Sequence, residues 1–302
     1  MDIGLILPLA EDESGTAPSW AELRAAAVQA EGLGFDSVWV YDHLLHRFEG
    51  HPTVGFWEAW TMLTAIAAST TRVQLGTTVL CAGFRNPALL AKMAETLDEV
   101  SGGRLILGLG AGWHEPEFDA FGMPFDHRVS RFEEALQVIR PLLHERKVDF
   151  RGTYHRAELC EVRPHGPREG GVPILVAAFA PRMLRLTARY ADQWTTDWLG
   201  PVSKVKEEIG KVRAACEAEG RDPATLTITG GVTVAYPDLG NLPAWMSTSD
   251  SYLTGDAEGL AAQLISYRDL GVDHILTNLY PFSPDSITQY GEAVSIAQKL
   301  TR

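Results

Sequence analysis

The sequence predicts an α/β fold, a (β/α)8 TIM barrel in which eight parallel strands form a closed ring inside eight helices. Runs of strand length alternate with helical segments along all 302 residues, which is typical of a parallel sheet with helical crossovers. Most strand runs are continuously apolar, as parallel strands buried on both faces should be. Eight such units favour closure into a barrel over an open sheet. No linker divides the chain, so residues 1–302 are predicted to be one domain.

The predicted elements follow one another in a regular order. The strands are predicted at 2–8, 37–41, 72–80, 104–110, 172–178, 192–196, 226–236 and 274–280. The helices are predicted at 19–34, 57–69, 86–103, 128–145, 181–191, 202–219, 257–270 and 284–300. Ser19 and Glu22 are spaced as a capping box at the first helix, and Asn86 followed by Pro87 marks the start of the third.

Three connections are longer than the usual links of such a barrel, and we interpret them as insertions. They lie after the fourth strand (111–127), before the fifth strand (146–171) and after the seventh strand (237–255). Alternating residues within the second insertion predict a small β-hairpin.

Composition and charge argue against several classes of partner. The chain has 39 acidic and 26 basic side chains, a net charge of −13, which disfavours nucleic acid or an anionic membrane as the main partner. The first residues lack the basic region of a signal peptide, and no apolar segment reaches the roughly 20 residues of a membrane span. Cys81, Cys160 and Cys216 are far apart, as reduced thiols of a cytoplasmic protein would be. Neither nucleic acid nor a membrane is therefore expected as a partner, and the small-molecule substrate is expected from the family resemblance described below.

The segment RLILGLGAGWHEPEF, residues 104–118, ends the fourth predicted strand, and a barrel places its active site at such carboxyl ends. Gly108, Gly110 and Gly112 do not form a dinucleotide fingerprint, because Trp113 stands where the third glycine of that motif would be. Glycines at a strand end instead allow a flat ring to approach the backbone closely. HEPEF is not the zinc motif HExxH, since Phe118 replaces the second histidine, and no metal site is predicted.

Three other strand ends carry candidate residues. Asp42 and His43 end the second strand, where the aspartate could fix the tautomer of a catalytic histidine or merely cap the following turn. Thr77 and Thr78 end the third strand, either as hydroxyls that face a ligand or as β-branched residues that satisfy local backbone groups. Small residues before Pro181 suit either a phosphate at a helix N-terminus or an ordinary turn.

Several long segments resemble the luciferase-like monooxygenase superfamily, in the same order and over almost the whole chain. They are WVYDHL, GTTVLCAGFRNPALLAKMAETLDEVSGGRLILGLGAGWHEPEFDAFGMPFDHR, VPILVAAFAPRMLRLTARYADQW and GDAEGLAAQLISYRDLGVDHIL. Within the superfamily, TLDEVSGGRLILGLGAGWHEPEFDAFG is most similar to the oxidoreductases that use the deazaflavin coenzyme F420. The resemblance implies a homodimer of (β/α)8 barrels with F420 as cofactor, or FMN as the alternative.

The resemblance also implies which residues form the site. His43 would lie beside the reactive face of the cofactor, and a non-prolyl cis peptide within 77–79 would form a bulge behind its ring. The backbone of 177–179 would hold the phosphate end. The implied cofactor-binding residues are Asp42, His43, Thr77, Thr78, Val79, Gly110, Ala111, Gly112, Ala177, Ala178 and Phe179.

Two positions depart from the pattern. Trp113 stands where the sugar-phosphate dehydrogenase branch has a glutamate acid, which argues against sugar phosphates and leaves Glu115 or His114 as the proton donor. The phosphate loop, glycine-rich in relatives, is AAFA here. Four aromatic residues suggest an apolar or aromatic substrate if they line the mouth, although they could equally contact cofactor or core. They are Trp113, Phe179, Trp194 and Trp198.

The predicted function is hydride transfer between F420 and an organic substrate, with His43 and Glu115 as the catalytic candidates. The alternatives are an FMN-dependent monooxygenase and a flavin- or deazaflavin-binding protein without turnover. The glutamate missing at Trp113 is the reason to keep the last of these.

Overall fold

The computed structural model describes residues 1–196, 199, 202–243, 246 and 252–301. Its strands are β1 (Asp2–Leu7), β2 (Ser37–Val40), β3 (Leu45–His46), β4 (Val54–Gly55), β5 (Gln74–Thr77), β6 (Leu80–Cys81), β7 (Leu105–Gly110), β8 (Lys147–Arg151), β9 (Arg156–Glu161), β10 (Ile174–Ala177), β11 (Gln193–Thr196), β12 (Thr227–Ala235) and β13 (His274–Tyr280). Its helices are α1 (Trp20–Gly32), α2 (Ala59–Ala67), α3 (Pro87–Ser101), α4 (Glu115–Ala120), α5 (Arg128–His144), α6 (Pro181–Tyr190), α7 (Val202–Ala218), α8 (Ala257–Asp269) and α9 (Pro284–Thr301).

Eight of these strands form one closed parallel barrel. Their order around the ring is β1, β2, β5, β7, β10, β11, β12 and β13. The ring closes because β13 pairs with β1, Asp2 lying opposite His274. The predicted (β/α)8 barrel is therefore confirmed. No helix in the described part of the chain is both long and apolar enough to cross a membrane.

Local sequence signals set the starts of two barrel helices. The Ser19 side chain accepts from the Glu22 N–H, and the Glu22 carboxylate accepts from the Ser19 N–H at 2.8 Å, so the predicted capping box begins α1. The Asn86 side chain accepts from the first free N–H groups of α3, with Pro87 as the first helical residue.

A small apolar cluster, which forms the floor of the site, packs inside the barrel. It consists of Ile6, Trp39, Ile106, Leu175 and Leu276. The Trp39 ring fills the space beside Gly4 and Gly76, where a Cβ atom would collide with it. Trp39 Nε1 donates to Ser37 Oγ at 2.7 Å. This floor leaves the carboxyl ends of the strands as the open mouth of the barrel.

The insertions differ in how far the structure describes them. Residues 111–127 contain α4, and residues 146–171 contain the antiparallel pair β8–β9, the hairpin that the sequence predicted. Of 237–255, residues 244, 245 and 247–251 lie outside the described residues. Residues between β2 and α2 form a further excursion that the sequence did not reveal, with the short antiparallel pair β3–β4. It matters because its residues His46 and Phe56 contact His43, which lies just beyond the end of β2.

Candidate active site

The site lies at the carboxyl ends of the barrel strands, above the apolar floor. Tyr41 and Val79 are partly buried and pack on the floor cluster. His43 lies three residues beyond Val40, the last residue of β2. Asn278 lies two residues beyond Leu276 on β13, and its amide donates to the Tyr280 hydroxyl at 3.2 Å. The mouth thus combines aromatic walls with a few polar groups.

His43 forms the central contact of the site, with the carboxylate of Glu117. His43 Nδ1 lies 3.1 Å from Glu117 Oε1 and 3.3 Å from Oε2. The Leu44 N–H donates to the same carboxylate at 2.9 Å. Burial opposes ionisation of Glu117, but the hydrogen bonds from His43 and from the Leu44 N–H outweigh it and hold the pKa of this carboxyl below its usual value. The Glu117 side chain is 2% exposed and that of His43 18%.

The turn between β7 and α4 places Glu117 against the end of β2. Gly112 adopts φ +78°, a left-handed conformation that favours glycine. A Cβ atom there would also lie 2.7 Å from both Cys81 Sγ and the Phe118 ring. Gly112 therefore lets the chain pass close to β6, so that Glu117 and Phe118 of α4 are buried.

Aromatic rings and two more histidines surround His43. The members of this aromatic cluster are His43, His46, Phe48, Phe56, Trp113 and His114. The His43 and His46 rings meet edge to face at 4.3 Å between centroids, and Trp113 meets His43 edge to face at 5.7 Å. The ring of Trp113 itself is 56% exposed.

Both neighbouring histidines of the aromatic cluster favour the neutral form. Burial, followed by the proximity of His43 and His114, lowers the pKa of His46 to about 4, and its buried Nε2 has no hydrogen-bond partner. Burial likewise lowers the pKa of His114, whose Nε2 accepts from the Arg47 N–H at 2.9 Å. Within the described residues, no group of three or more His, Cys, Asp or Glu side chains is arranged to hold a metal ion.

Asp42 does not orient His43, so that hypothesis from the sequence is wrong. Its buried carboxylate makes a two-pronged ion pair with Arg85, at 2.6 and 3.0 Å, and accepts from the Cys81 N–H at 2.9 Å. Arg85 also pairs with Glu58. Asp42 therefore ties the end of β2 to the segment after β6, and Glu117 holds the histidine instead.

A cis peptide between Thr78 and Val79 separates β5 from β6, which together correspond to the third strand predicted from the sequence. It lies within residues 77–79, where the resemblance implied such a peptide. Thr77 is fully buried, and its hydroxyl donates to the Gly108 carbonyl at 2.8 Å and accepts from the Gly108 N–H at 3.1 Å. For Thr77, the interpretation of a residue that satisfies local backbone groups is therefore correct. Thr78 and Val79 are only partly buried and remain the candidates that face a ligand.

Glycines of β7 make room for this interrupted strand. A Cβ atom at Gly108 would collide with the Thr77 carbonyl, and one at Gly110 would lie 2.7 Å from Val79 Cγ2. From the sequence we interpreted these glycines as making room for a flat ring. In the structure, the backbone of Thr77 and the side chain of Val79 occupy the space beside Gly108 and Gly110. Cofactor contact for Gly110, Ala111 and Gly112 stays a prediction.

The predicted phosphate loop is only partly free. Ala178 uses both of its backbone groups, because its N–H donates to the Thr195 carbonyl at 2.9 Å and its carbonyl accepts from Trp194 Nε1 at 2.7 Å. Ala177 lies on β10, paired with Thr195, and Phe179 is 69% exposed.

The backbone N–H groups at the start of α6 could still bind an anion. Its N-cap, Ala180, has no side chain to cap the helix, and Pro181 is its first residue. The Arg182 guanidinium is not directed to such a ligand, because it bonds Glu133 at 2.7 Å and Ser130 at 3.1 Å. Of the predicted phosphate loop, only the backbone after Ala178 therefore remains a candidate for binding a phosphate.

The remaining candidates lie in different surroundings. Glu115 is exposed at the first position of α4, and no contact within the described residues supports it as a proton donor. Trp194 is fully buried in the core between strands and helices, not at the mouth. Trp198 lies outside the described residues.

The sequence analysis missed Glu117. A usable signal was present, because Glu117 is an acidic residue in the first turn of a helix that begins just beyond a strand end.

The chain belongs to the luciferase-like monooxygenase family, whose model matches residues 1–238. It is similar to the phthiodiolone/phenolphthiodiolone dimycocerosates ketoreductase of Mycobacterium bovis, 36% identical over 234 residues that cover 70% of this chain and 59% of that protein. It is also similar to the F420-dependent glucose-6-phosphate dehydrogenase of Kineococcus radiotolerans, 35% identical over 227 residues, covering 72% and 64%. The chain thus spans about three fifths of the length of these curated relatives.

A solved structure shows the same fold over nearly the full length. It is an F420-dependent secondary alcohol dehydrogenase in complex with an F420–acetone adduct, with a TM-score of 0.82, 22% identity and coverage of 98% of both chains. At this identity the likeness establishes the barrel and its topology alone.

Proposed function

We propose that this protein transfers a hydride between coenzyme F420 and an organic substrate that alternates between an alcohol and a carbonyl. The observation that carries the proposal is the pair of His43 and buried Glu117 at the mouth of a luciferase-like barrel. Such a pair suits a reaction in which a proton moves together with a hydride. Relatives named for ketone reduction and for F420-dependent dehydrogenation support the same class of reaction.

The mouth fits a flat, phosphate-bearing cofactor. Tyr41 and Val79 are partly buried and pack against the apolar floor, which would provide a surface for a ring. The uncapped start of α6 offers backbone N–H groups and the positive end of a helix dipole to a phosphate. His46 Nε2 is a buried polar atom without a partner, as expected where a ligand completes the site. When bound, F420 would supply the acceptor or donor of the hydride.

The chain's own residues would handle the proton and exclude water. In the oxidising direction His43 accepts the hydroxyl proton of the alcohol, and in the reducing direction it returns a proton to the carbonyl oxygen. The aromatic cluster packs around His43 on several sides. We expect this packing to keep bulk water from the imidazole and so to strengthen its contact with the substrate.

Titration of the pure protein with F420 and, separately, with FMN tests the proposal. We expect quenching of F420 fluorescence at saturation and turnover of F420 with alcohols or ketones from a substrate panel. Tight FMN binding without F420 binding would favour the monooxygenase alternative, to which the family description also points. Binding of either cofactor without any turnover would favour the binding protein.

We also propose that residues 1–302 form one domain and that the protein is a cytoplasmic homodimer. The single domain is supported by the ring itself, in which β1 from the start of the chain pairs with β13 near its end. The homodimer is supported by the resemblance to the family. Light scattering after size-exclusion chromatography tests it, because a mass near that of one chain, 33.1 kDa, would contradict it.

A further inference from the structure

We propose that Glu117 is a positioning residue that fixes the tautomer of His43, so that Nε2 is the atom that exchanges a proton with the substrate. The inference rests on the proposed function for the identity of the reaction. The tautomer itself is a property of the protein alone, and it can be measured without cofactor or substrate.

The hydrogen bonds around Glu117 determine which nitrogen of His43 carries the proton. An ionised carboxylate has no hydrogen to donate, so an imidazole nitrogen bonded to it must be the donor. Glu117 is held in the ionised form by the hydrogen bonds described above. His43 Nδ1, 3.1 Å away, therefore carries the hydrogen in the neutral ring, and Nε2 keeps the lone pair.

Glu117 is the only charged group facing His43 among the described residues in contact with it. His46 on β3 and His114 before α4 favour their neutral forms. Burial, followed by the nearby carboxylates, raises the pKa of the Cys81 thiol on β6, which stays protonated. Within the described chain, the salt bridge of Glu117 is to His43 and to no lysine or arginine.

The step balances in both directions. When an alcohol is oxidised, its C–H bond breaks and the hydrogen leaves with both electrons to F420, while the O–H bond breaks and the proton forms an N–H bond at His43 Nε2. The carbon–oxygen bond becomes a carbonyl, oxidised by two electrons, and F420 is reduced by two. Glu117 forms and breaks no covalent bond, which is why it is a positioning residue.

Glu117→Gln provides the sharpest test, because the Leu44 N–H determines how the amide orients. This N–H points at the position of Oε2, 2.9 Å away, and requires an oxygen there. The amide NH2 then takes the position of Oε1 and donates to His43 Nδ1. Donation to Nδ1 forces the hydrogen of the ring onto Nε2, which reverses the tautomer while keeping the shape of the side chain.

Glu117→Ala removes the hydrogen bonds of the carboxylate to His43 and to the backbone of Leu44 and Leu45, and it leaves the ring free to adopt either tautomer. We therefore expect the larger loss of kcat from Glu117→Gln, at least about 100-fold, and a loss of about 10-fold from Glu117→Ala. A purely structural role predicts the opposite order, because alanine leaves a cavity and an unpaired Leu44 N–H. Asp119→Asn is the matched control, since it neutralises an exposed carboxylate of the same short helix α4.

Nitrogen-15 NMR of the histidine rings in the cofactor-free protein reports the tautomer directly. We expect the Nδ1–H form of His43 in the wild type and in Asp119→Asn, the Nε2–H form in Glu117→Gln and a mixture in Glu117→Ala. An Nε2–H form in the wild type, or a kcat loss greater for alanine than for glutamine, would overturn the inference. Failure of F420 to bind would instead overturn the proposed function, and the NMR result would still decide the tautomer.

Discussion

The floor and the mouth of this barrel each hold a histidine, and the two differ in their hydrogen-bond partners and in access. His274 at the floor is buried, and its Nε2 shares a hydrogen bond of 2.7 Å with the Ser37 hydroxyl. Burial lowers the pKa of His274 to about 4, so that it stays neutral. His43 at the mouth is partly exposed and bonds a carboxylate. A histidine in a barrel therefore serves packing or chemistry according to its partner and its access to ligand.

The largest change in stability is expected from a substitution in the floor. Trp39→Ala removes a fully buried ring that fills the barrel interior and should lower the free energy of unfolding by about 3–5 kcal/mol. Urea denaturation followed by circular dichroism measures it. A decrease of less than about 1 kcal/mol in the free energy of unfolding would show that neighbouring side chains fill the cavity. It would also show that the floor does not depend on the Trp39 ring.

At the mouth, His43→Ala should remove activity and leave the fold intact. We expect kcat to fall by about 100- to 1000-fold, because the proton then has no positioned acceptor. The free energy of unfolding should fall by about 1–3 kcal/mol, because the buried Glu117 carboxylate loses the hydrogen bond from His43, and the barrel should still fold. Steady-state kinetics with F420 and the same urea titration measure the two quantities. Unchanged kcat would remove His43 from the proton transfer.

The floor histidine should make stability depend on pH. The pKa of His274 is about 4 in the folded protein, against 6.5 as its ordinary value. Between these values the unfolded chain binds the proton more readily, so stability should fall as pH is lowered from about 6.5 toward 4, by up to about 3 kcal/mol. Above pH 6.5 this contribution is constant.

Urea titrations of the wild type and of His274→Gln across this pH range measure the effect. The variant should show the shallower slope, and His46, whose pKa is also lowered to about 4, should account for part of the remainder. Equal slopes in the two proteins would mean that His274 binds its proton in the folded state as well.

The smallest expected effect is that of Ser37→Ala. This substitution removes the hydroxyl that accepts from Trp39 Nε1 and bonds His274 Nε2, leaving two buried polar atoms unpaired. The free energy of unfolding should fall by about 1–3 kcal/mol, while kcat should stay within about 2-fold. A drop in kcat without a drop in stability would show that the floor and the mouth are coupled.

Much of the barrel could be predicted because its signals are local. The starts of α1 and α3 depend on side chains within three residues of the cap, and the apolar strand runs are contiguous. The excursion after β2 escaped prediction because β3 and β4 are two residues each, too short for a hydrophobic period. His46, Phe48 and Phe56, which it brings to the site, were therefore missed as neighbours of His43.

The sequence by itself determined the eight-unit ring, the caps of two helices and the placement of His43 at a strand end. Only the tertiary structure decided that Glu117, 74 residues away, holds His43, and that Asp42, the adjacent residue, does not. Glu115 and Glu117 lie about 200° apart around a helix, so only one of them can face the imidazole. Which one does so depends on how the turn at Gly112 sets the rotation of α4, and that depends on packing against β6.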